Sequence, residues 1–170
     1  MHVAPRRIGS WGFEVGEIGL GCMSMTGVYD VDQRVDQRAE ATVRRAADLG
    51  VTFIDTADSY GPFTNELLVG RALAGRSHDT IVATKVGLVG RSDGNLLRDG
   101  RPQHITSACD ASLRRLRREH IDLYSLHTFD PEVPLADTWG AMAGLVQAGK
   151  VRGLGVMTRS VKLLDHLQQI

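Results

Sequence analysis

Four side chains with complementary acid–base chemistry stand in order along the chain. Asp55 and Tyr60 lie in Phe53-Ile54-Asp55-Thr56-Ala57-Asp58-Ser59-Tyr60-Gly61, Lys85 follows Thr84, and His127 follows Leu126. A free phenol has a pKa near ~10, too high for ready proton exchange at neutral pH. An ammonium beside it favours the phenolate and brings that value down. Lys85 can supply the ammonium and Asp55 can hold it in place. His127 can donate a hydrogen bond to a substrate carbonyl or relay the proton. The set suits polarising a carbonyl while another agent delivers hydride. Each member alone means little: a strand-end Asp–Lys pair is commonly a structural ion pair, a Tyr in a Gly-Pro turn commonly packs, and a single His beside a strand is commonly a core or rim residue. Their joint occurrence in order, at successive strand ends, is the informative observation.

The elements that would position them repeat as strand, loop, helix. Residues 7–15 read as a small hairpin around Ser10-Trp11-Gly12, and residues 17–22 as a first strand. Residues 36–49 place Ala39, Val43, Ala46 and Ala47 at helical spacing and end in Gly50, a natural helix terminator. A second strand covers 51–56. Asn65 is expected to cap a helix running through Leu67, Leu68, Val69 and Leu73 to Gly75. Residues 80–86 are a third strand, 87–103 a polar loop, 105–119 a helix starting at Thr106 or Ser107, and 121–126 a fourth strand. A helix over 135–147, a fifth strand over 151–157 and a helix from Ser160 complete the pattern.

Strands apolar on both faces that alternate with amphipathic helices predict a parallel α/β sheet with right-handed crossovers. A doubly wound sheet calls for a glycine fingerprint after its first strand, but Gly19-Leu20-Gly21 runs into Cys-Met-Ser-Met and GxGxxG is absent. Functional residues at the ends of several different strands favour a barrel. The expected architecture is a partial (β/α) TIM-type barrel of about five βα units behind a short N-terminal β-hairpin, in one domain over residues 1–170.

Composition sets the bounds. Twenty Lys and Arg balance twenty Asp and Glu, which argues against nucleic acid or an anionic membrane as a partner. The run Arg114-Arg115-Leu116-Arg117-Arg118 reads as a solvated helix face. Cys22 and Cys109 form no CxxC, so reduced thiols and a cytoplasmic location are expected. Met1-His2-Val3-Ala4-Pro5-Arg6-Arg7 lacks the apolar core of a signal peptide, and no apolar run approaches the ~18 residues that span a membrane. No metal site is expected.

Larger motifs sharpen the reading. Gly19-Leu20-Gly21-Cys22-Met23, the Phe53–Gly61 stretch quoted above, Asn65-Glu66 and Val69-Gly70-Arg71-Ala72-Leu73 resemble the N-terminal signature of the aldo-keto reductases. Ile121-Asp122-Leu123-Tyr124-Ser125-Leu126-His127, Leu145-Val146 and Gly149-Lys150-Val151-Arg152-Gly153-Leu154-Gly155-Val156 resemble the family's middle signature. The resemblance covers nearly the whole chain. It implies an eight-stranded barrel that transfers hydride from NADPH to aldehydes and ketones. It also implies a catalytic tetrad of Asp55, Tyr60, Lys85 and His127, with Tyr60 as general acid and His127 orienting the carbonyl. By the same resemblance, Gly21, Cys22, Met23, Met157 and Thr158 are candidate cofactor-binding positions. Phe63-Thr64-Asn65-Glu66 and Asp130-Pro131-Glu132-Val133-Pro134 look most like the bacterial and plant branch, whose substrates are broad carbonyl or pyridoxal-type compounds.

Two departures stand out. Where the family has a Ser followed by Asn or Glu after the fifth strand, this chain has Met157-Thr158-Arg159, and a Met cannot hydrogen-bond the nicotinamide amide as they do. Where the branch often has an Arg after the catalytic His, this chain has Thr128. Strands six to eight of the family fold, with the loops that grip the cofactor phosphates, are not expected within these 170 residues. Open sheet edges would then need cover, and a homodimer or a companion chain is the expected partner. Three functions follow: an NADPH-dependent carbonyl reductase completed by further barrel, a cofactor-free acid–base enzyme (dehydratase, cyclase or isomerase) reusing the tetrad, or a non-catalytic binding remnant.

Overall fold

Runs such as Ile81-Val82-Ala83, apolar on both faces, are stable only as strands covered from both sides. In the computed structural model, which describes residues 5–9, 12–26, 36–76, 80–90, 95–167 and 169, they form the middle of one parallel sheet. Its strands are β3 (Leu20–Gly21), β4 (Phe53–Asp55), β5 (Ile81–Val86), β8 (Ile121–Leu126) and β9 (Val151–Val156). Ahead of them β1 (Pro5–Ile8) and β2 (Phe13–Gly16) pair antiparallel, as the expected hairpin; its Ser10 and Trp11 lie outside the described residues. The helices are α1 (Asp36–Asp48), α2 (Thr64–Ala72), α3 (Pro102–Leu116), α4 (Leu135–Gln147) and α5 (Val161–Leu167).

The strand order β3-β4-β5-β8-β9 decides the architecture. Every new strand joins the same growing edge, and α1, α2, α3 and α4 pack in succession along the sheet. A doubly wound sheet reverses its order at a switch point. This one never does, so it is the wall of a (β/α) barrel. The core lies between wall and helices, where Ile54, Val82, Tyr124 and Val151 meet Val43, Leu68, Ile105, Cys109 and Met142.

The N-terminal ends of the strands are tied by charge. Asp122, 2% exposed, accepts hydrogen bonds from Val82 N at 2.9 Å and from the guanidinium groups of Arg118 and Arg152, each at 3.1 Å. Arg152 also lies 4.6 Å over the Phe13 ring, and Gly16 N donates to Thr52 Oγ1 at 2.8 Å, so the hairpin is fastened to this end of the sheet.

Several expectations are corrected. Asn65 does not cap α2: the helix starts at Thr64 after Phe63, and Asn65 is a buried residue inside it. α2 ends at Ala72 rather than near Gly75. The first strand of the sheet is short, Leu20–Gly21, and a 3-10 turn over Met23–Thr26 follows. The expected polar loop contains a second hairpin, β6 (Leu88–Gly90) with β7 (Leu96–Arg98), and α3 starts at Pro102 instead of 105, because Pro is preorganised for a first helical turn. α3 stops at Leu116, with Arg117 left-handed at φ 56°. The basic run is not simply a solvated face. Arg115 pairs with Glu66 and Arg118 with Asp122, both acids buried, while Arg114 and Arg117 stay exposed.

Candidate active site

Register brings the sequence-predicted residues to one rim. Gly21 pairs with Asp55, Asp55 with Ala83, Lys85 with Ser125, and Leu126 with Val156. The ladder continues past the strand ends: Cys22 N donates to Asp55 O at 2.8 Å, His127 N to Val86 O at 2.8 Å, and Met157 N to Leu126 O at 2.9 Å. Asp55, Lys85, His127 and Met157 therefore emerge together at the C-terminal edge of the sheet, where barrel chemistry sits.

Lys85 is the centre of the cluster. It is 4% exposed, and its Nζ donates to Asp55 Oδ2 and to Thr56 O, each at 2.7 Å. The same nitrogen stands 5.0 Å from the centroid of the Tyr60 ring. His127 meets that ring edge-on, with centroids 5.7 Å apart and planes at 83°. Burial, and then the Lys85 ammonium, depress the His127 pKa to about 4, so the ring is neutral at physiological pH. A neutral imidazole has one donor and one acceptor nitrogen. Its Nδ1 lies 3.3 Å from Ser59 Oγ, a contact that ties the ring orientation to the loop carrying Tyr60.

That loop is held from below by polar residues on the helix that follows. Tyr60 O accepts from Asn65 N at 3.3 Å, and Asp58 O from Phe63 N at 2.9 Å. Gly61 turns at φ 59°, where an added Cβ would stand 2.6 Å from that of Thr26. Asn65 uses its whole amide: Nδ2 donates to Cys22 O and Thr26 Oγ1, each at 2.8 Å, and Oδ1 accepts from Thr56 Oγ1 at 2.6 Å. Glu66, fully buried, accepts from Thr84 Oγ1 and from Arg115 Nε, each at 2.6 Å. These two neighbours in sequence join the ends of β3, β4 and β5 to α2 and α3. Sequence reasoning missed Ser59, Asn65, Glu66 and Arg115 as supports. The available signal was that Asn65 shares a helical face with Leu68, Val69 and Ala72, where a polar residue needs a buried partner.

A model of the Aldo/keto reductase family matches residues 17–169. The chain belongs to the aldo-keto reductase family. A probable aldo-keto reductase of Glycine max is 40% identical over 160 residues, 94% of this chain and 46% of that protein. Among solved structures, an aldo-keto reductase of Bacillus halodurans in its holo form superposes with a TM-score of 0.89 at 32% identity, over 99% of this chain and 54% of that one. The glycerol dehydrogenase of Gluconobacter oxydans gives 0.86 at 34% identity, over 98% and 52%. An aldo/keto reductase of Klebsiella pneumoniae in complex with NADP and acetate gives 0.71 at 32% identity, over 88% and 48%. The chain thus spans about half the length of the relatives it matches.

In this chain the five rim positions expected to meet a cofactor fare differently. Gly21 is exposed, and a Cβ added there meets nothing within 4 Å, so the end of β3 is open to a ligand. Met157 is 50% exposed just past β9. Thr158 is half-buried, its Oγ1 accepting from Ser160 N at 3.0 Å, and Met23 is half-buried in the 3-10 turn. Cys22 departs from the expectation. Its thiol is fully buried in the core cluster, where burial pushes its pKa up to about 12, and it offers a cofactor no side-chain contact. No helix among the described residues is long and apolar enough to cross a membrane.

Proposed function

We propose that this chain carries the proton-transfer half of an NADPH-dependent carbonyl reductase acting on an aldehyde or ketone. The observation that carries the reading is the Lys85 ammonium, clamped by Asp55 and the Thr56 carbonyl and facing Tyr60. Tyr60 gives its phenolic proton to the carbonyl oxygen, and the Lys85 charge stabilises the phenolate left behind. Asp55 keeps that charge in place. His127, neutral and held at Nδ1 by Ser59, presents its other ring nitrogen to the same carbonyl oxygen and orients it. NADPH, when bound, supplies the hydride. Gly21, Met157 and Thr158, at or just past the ends of β3 and β9, would meet its nicotinamide end, without the polar pair the family usually has there.

Because the chain spans about half of its relatives, the reading applies to it together with further barrel, from a longer chain, a companion chain or a second copy packed along the edges at β3 and β9. Both cysteines are free and buried, in keeping with a cytoplasmic setting. Calorimetric titration with NADPH, followed by a carbonyl-reduction assay, tests the reading. Tyr60→Phe is expected to lower kcat/KM about 10²–10⁴-fold while leaving NADPH affinity intact. Unchanged turnover in Tyr60→Phe would refute it. Turnover without NADPH that Tyr60→Phe abolishes would assign cofactor-free acid–base chemistry to the same residues.

A further inference from the structure

Adjacent carbonyls of β5 hold the two segments that carry Ser59 and His127. Asp58 N donates to Lys85 O at 3.3 Å, and His127 N donates to Val86 O at 2.8 Å. Tyr60 N closes a turn on Ala57 O at 3.3 Å, and β6 lies so near that a Cβ added to Gly90 would stand 3.0 Å from Ser59 O. Ser59, 9% exposed, lies on the loop between β4 and α2, whereas His127 lies just past β8, 68 residues later. Contact between their side chains is therefore set by the barrel wall and not by the local chain.

That contact joins Ser59 Oγ to His127 Nδ1 at 3.3 Å, and among the described residues it is the one hydrogen bond the hydroxyl makes. Two proton arrangements fit it. If Nδ1 carries the ring proton, Ser59 accepts it, and the O–H of Ser59 has no acceptor among the described residues. If Ser59 donates, its own proton is met, Nδ1 is the acceptor, and the ring proton sits on Nε2. Folded proteins leave buried donors unmet more rarely than acceptors, which favours the second arrangement.

The tautomer matters because the ring is neutral at physiological pH, burial and then Lys85 holding its pKa down at about 4. Which nitrogen carries the proton, and not the charge of the ring, then decides what His127 offers a substrate. A carbonyl oxygen accepts hydrogen bonds and donates none, so only an N–H on the ring can orient it. A bare Nε2 would instead compete with the carbonyl for the phenolic proton of Tyr60, whose ring lies edge-on with centroids 5.7 Å apart.

We propose that Ser59 is a positioning residue that selects the His127 tautomer: its hydroxyl donates to Nδ1 and keeps the ring proton on Nε2. His127 then acts as a hydrogen-bond donor to the carbonyl and not as a proton acceptor for Tyr60, which closes the relay role that its residue type leaves open. The use made of that donor rests on the carbonyl-reductase reading, whereas the tautomer rests on the Ser59–His127 contact alone.

The test compares Ser59→Thr with Ser59→Val, two side chains of nearly one shape that differ in the hydroxyl. Nitrogen-15 NMR of the 170-residue chain at pH 7, labelled at histidine and assigned with His127→Gln, reads which ring nitrogen carries the proton. Wild type and Ser59→Thr are expected to show a protonated Nε2 and a bare Nδ1. Ser59→Val should lower the ratio of Nε2–H to Nδ1–H by about fivefold or more, as the two resonances move toward each other. In the carbonyl-reduction assay Ser59→Val should lower kcat about tenfold with NADPH affinity unchanged, and Ser59→Thr should stay within about threefold of wild type. A wild-type ring protonated at Nδ1, or one tautomer ratio shared by the Thr and Val variants, would overturn the proposal. Both are read in the chain without cofactor, so a failure of turnover, which would refute the reductase reading, leaves the tautomer result standing.

Discussion

Replacing Asp58 by Asn should make the protein more stable at alkaline pH, although it removes a buried acid from the loop that carries Tyr60. The carboxyl moves from its ordinary 3.8 up to about 8, chiefly by burial and then by repulsion from Glu66. Between roughly pH 4 and pH 8 the folded chain keeps a proton that the unfolded chain has released. Stability follows the difference in protons bound, so it falls as pH climbs through that window and levels off above the folded pKa. The move from 3.8 to about 8 corresponds to at most ~5–6 kcal/mol at full development. Asn keeps the shape and cannot ionise. Its buried N–H groups should cost about 1–2 kcal/mol at every pH. The variant is therefore expected to be slightly less stable than wild type near pH 5 and more stable by about 2–4 kcal/mol at pH 9. Urea unfolding at pH 5, 7 and 9, with m-values checked for constancy, reads this as a crossing of the two midpoints. His127, depressed to about 4, makes both proteins lose stability below pH ~6.5 and drops out of the comparison. Parallel curves, or a variant weaker at pH 9 than at pH 5, would mean that Asp58 is ionised and paired in the folded protein and would refute the argument.

Two further predictions concern the supports of the rim. Arg115→Met leaves the fully buried Glu66 with Thr84 as its remaining donor, and should lower unfolding free energy by about 3–5 kcal/mol. Denaturant melts of the double variant Arg115→Met/Glu66→Leu should recover part of that loss, and a double variant no better than the single one would count against the charge argument. Gly70→Ala sets a methyl against the Arg115 carbonyl, with the Leu116 backbone 3.0 Å away, where α2 and α3 cross. Overpacking against backbone should cost about 1–3 kcal/mol despite the better helix propensity of Ala, and a rise in Tm would show that the helices separate freely.

What could be read from the sequence, and what could not, divides along the range of the interactions. That Asp55, Tyr60, Lys85 and His127 gather at one rim was legible because each combines a reactive type with a strand-end position, and both are local properties of a few neighbouring residues. The barrel order was legible for a similar reason: unbroken strand–helix alternation with chemistry at several strand ends leaves little else. Asn65 was misread as a cap because a polar residue before an apolar helix is usually one. Its partners, Cys22, Thr26 and Thr56, come from segments up to 43 residues away, and no local pattern announces them. Arg115 looked like one charge among five basic and apolar neighbours, yet its partner Glu66 lies 49 residues earlier. The β6–β7 hairpin was hidden because each of its strands is only three residues long and they sit among Gly, Asp and Arg.

This division bears on the function. The reactive atoms of Tyr60, Lys85, Asp55 and His127 come from residues that sequence alone can pick out, but the place of the phenol is set by Asn65, Glu66 and Arg115 beneath it. Asn65 fixes the carbonyl of Cys22 and the hydroxyl of Thr56 on either side of the Tyr60 loop, and Glu66 binds Thr84, the residue before Lys85. The ammonium that faces Tyr60 and the backbone that carries Tyr60 are thus both tied to two adjacent residues of one helix. A chain with the four reactive types and an apolar α2 would keep the backbone bonds from Thr56 N to Ala83 O and from Asp58 N to Lys85 O, but would lose the side-chain bonds by which one helix ties both the loop and β5, and with them part of the alignment between phenol and ammonium.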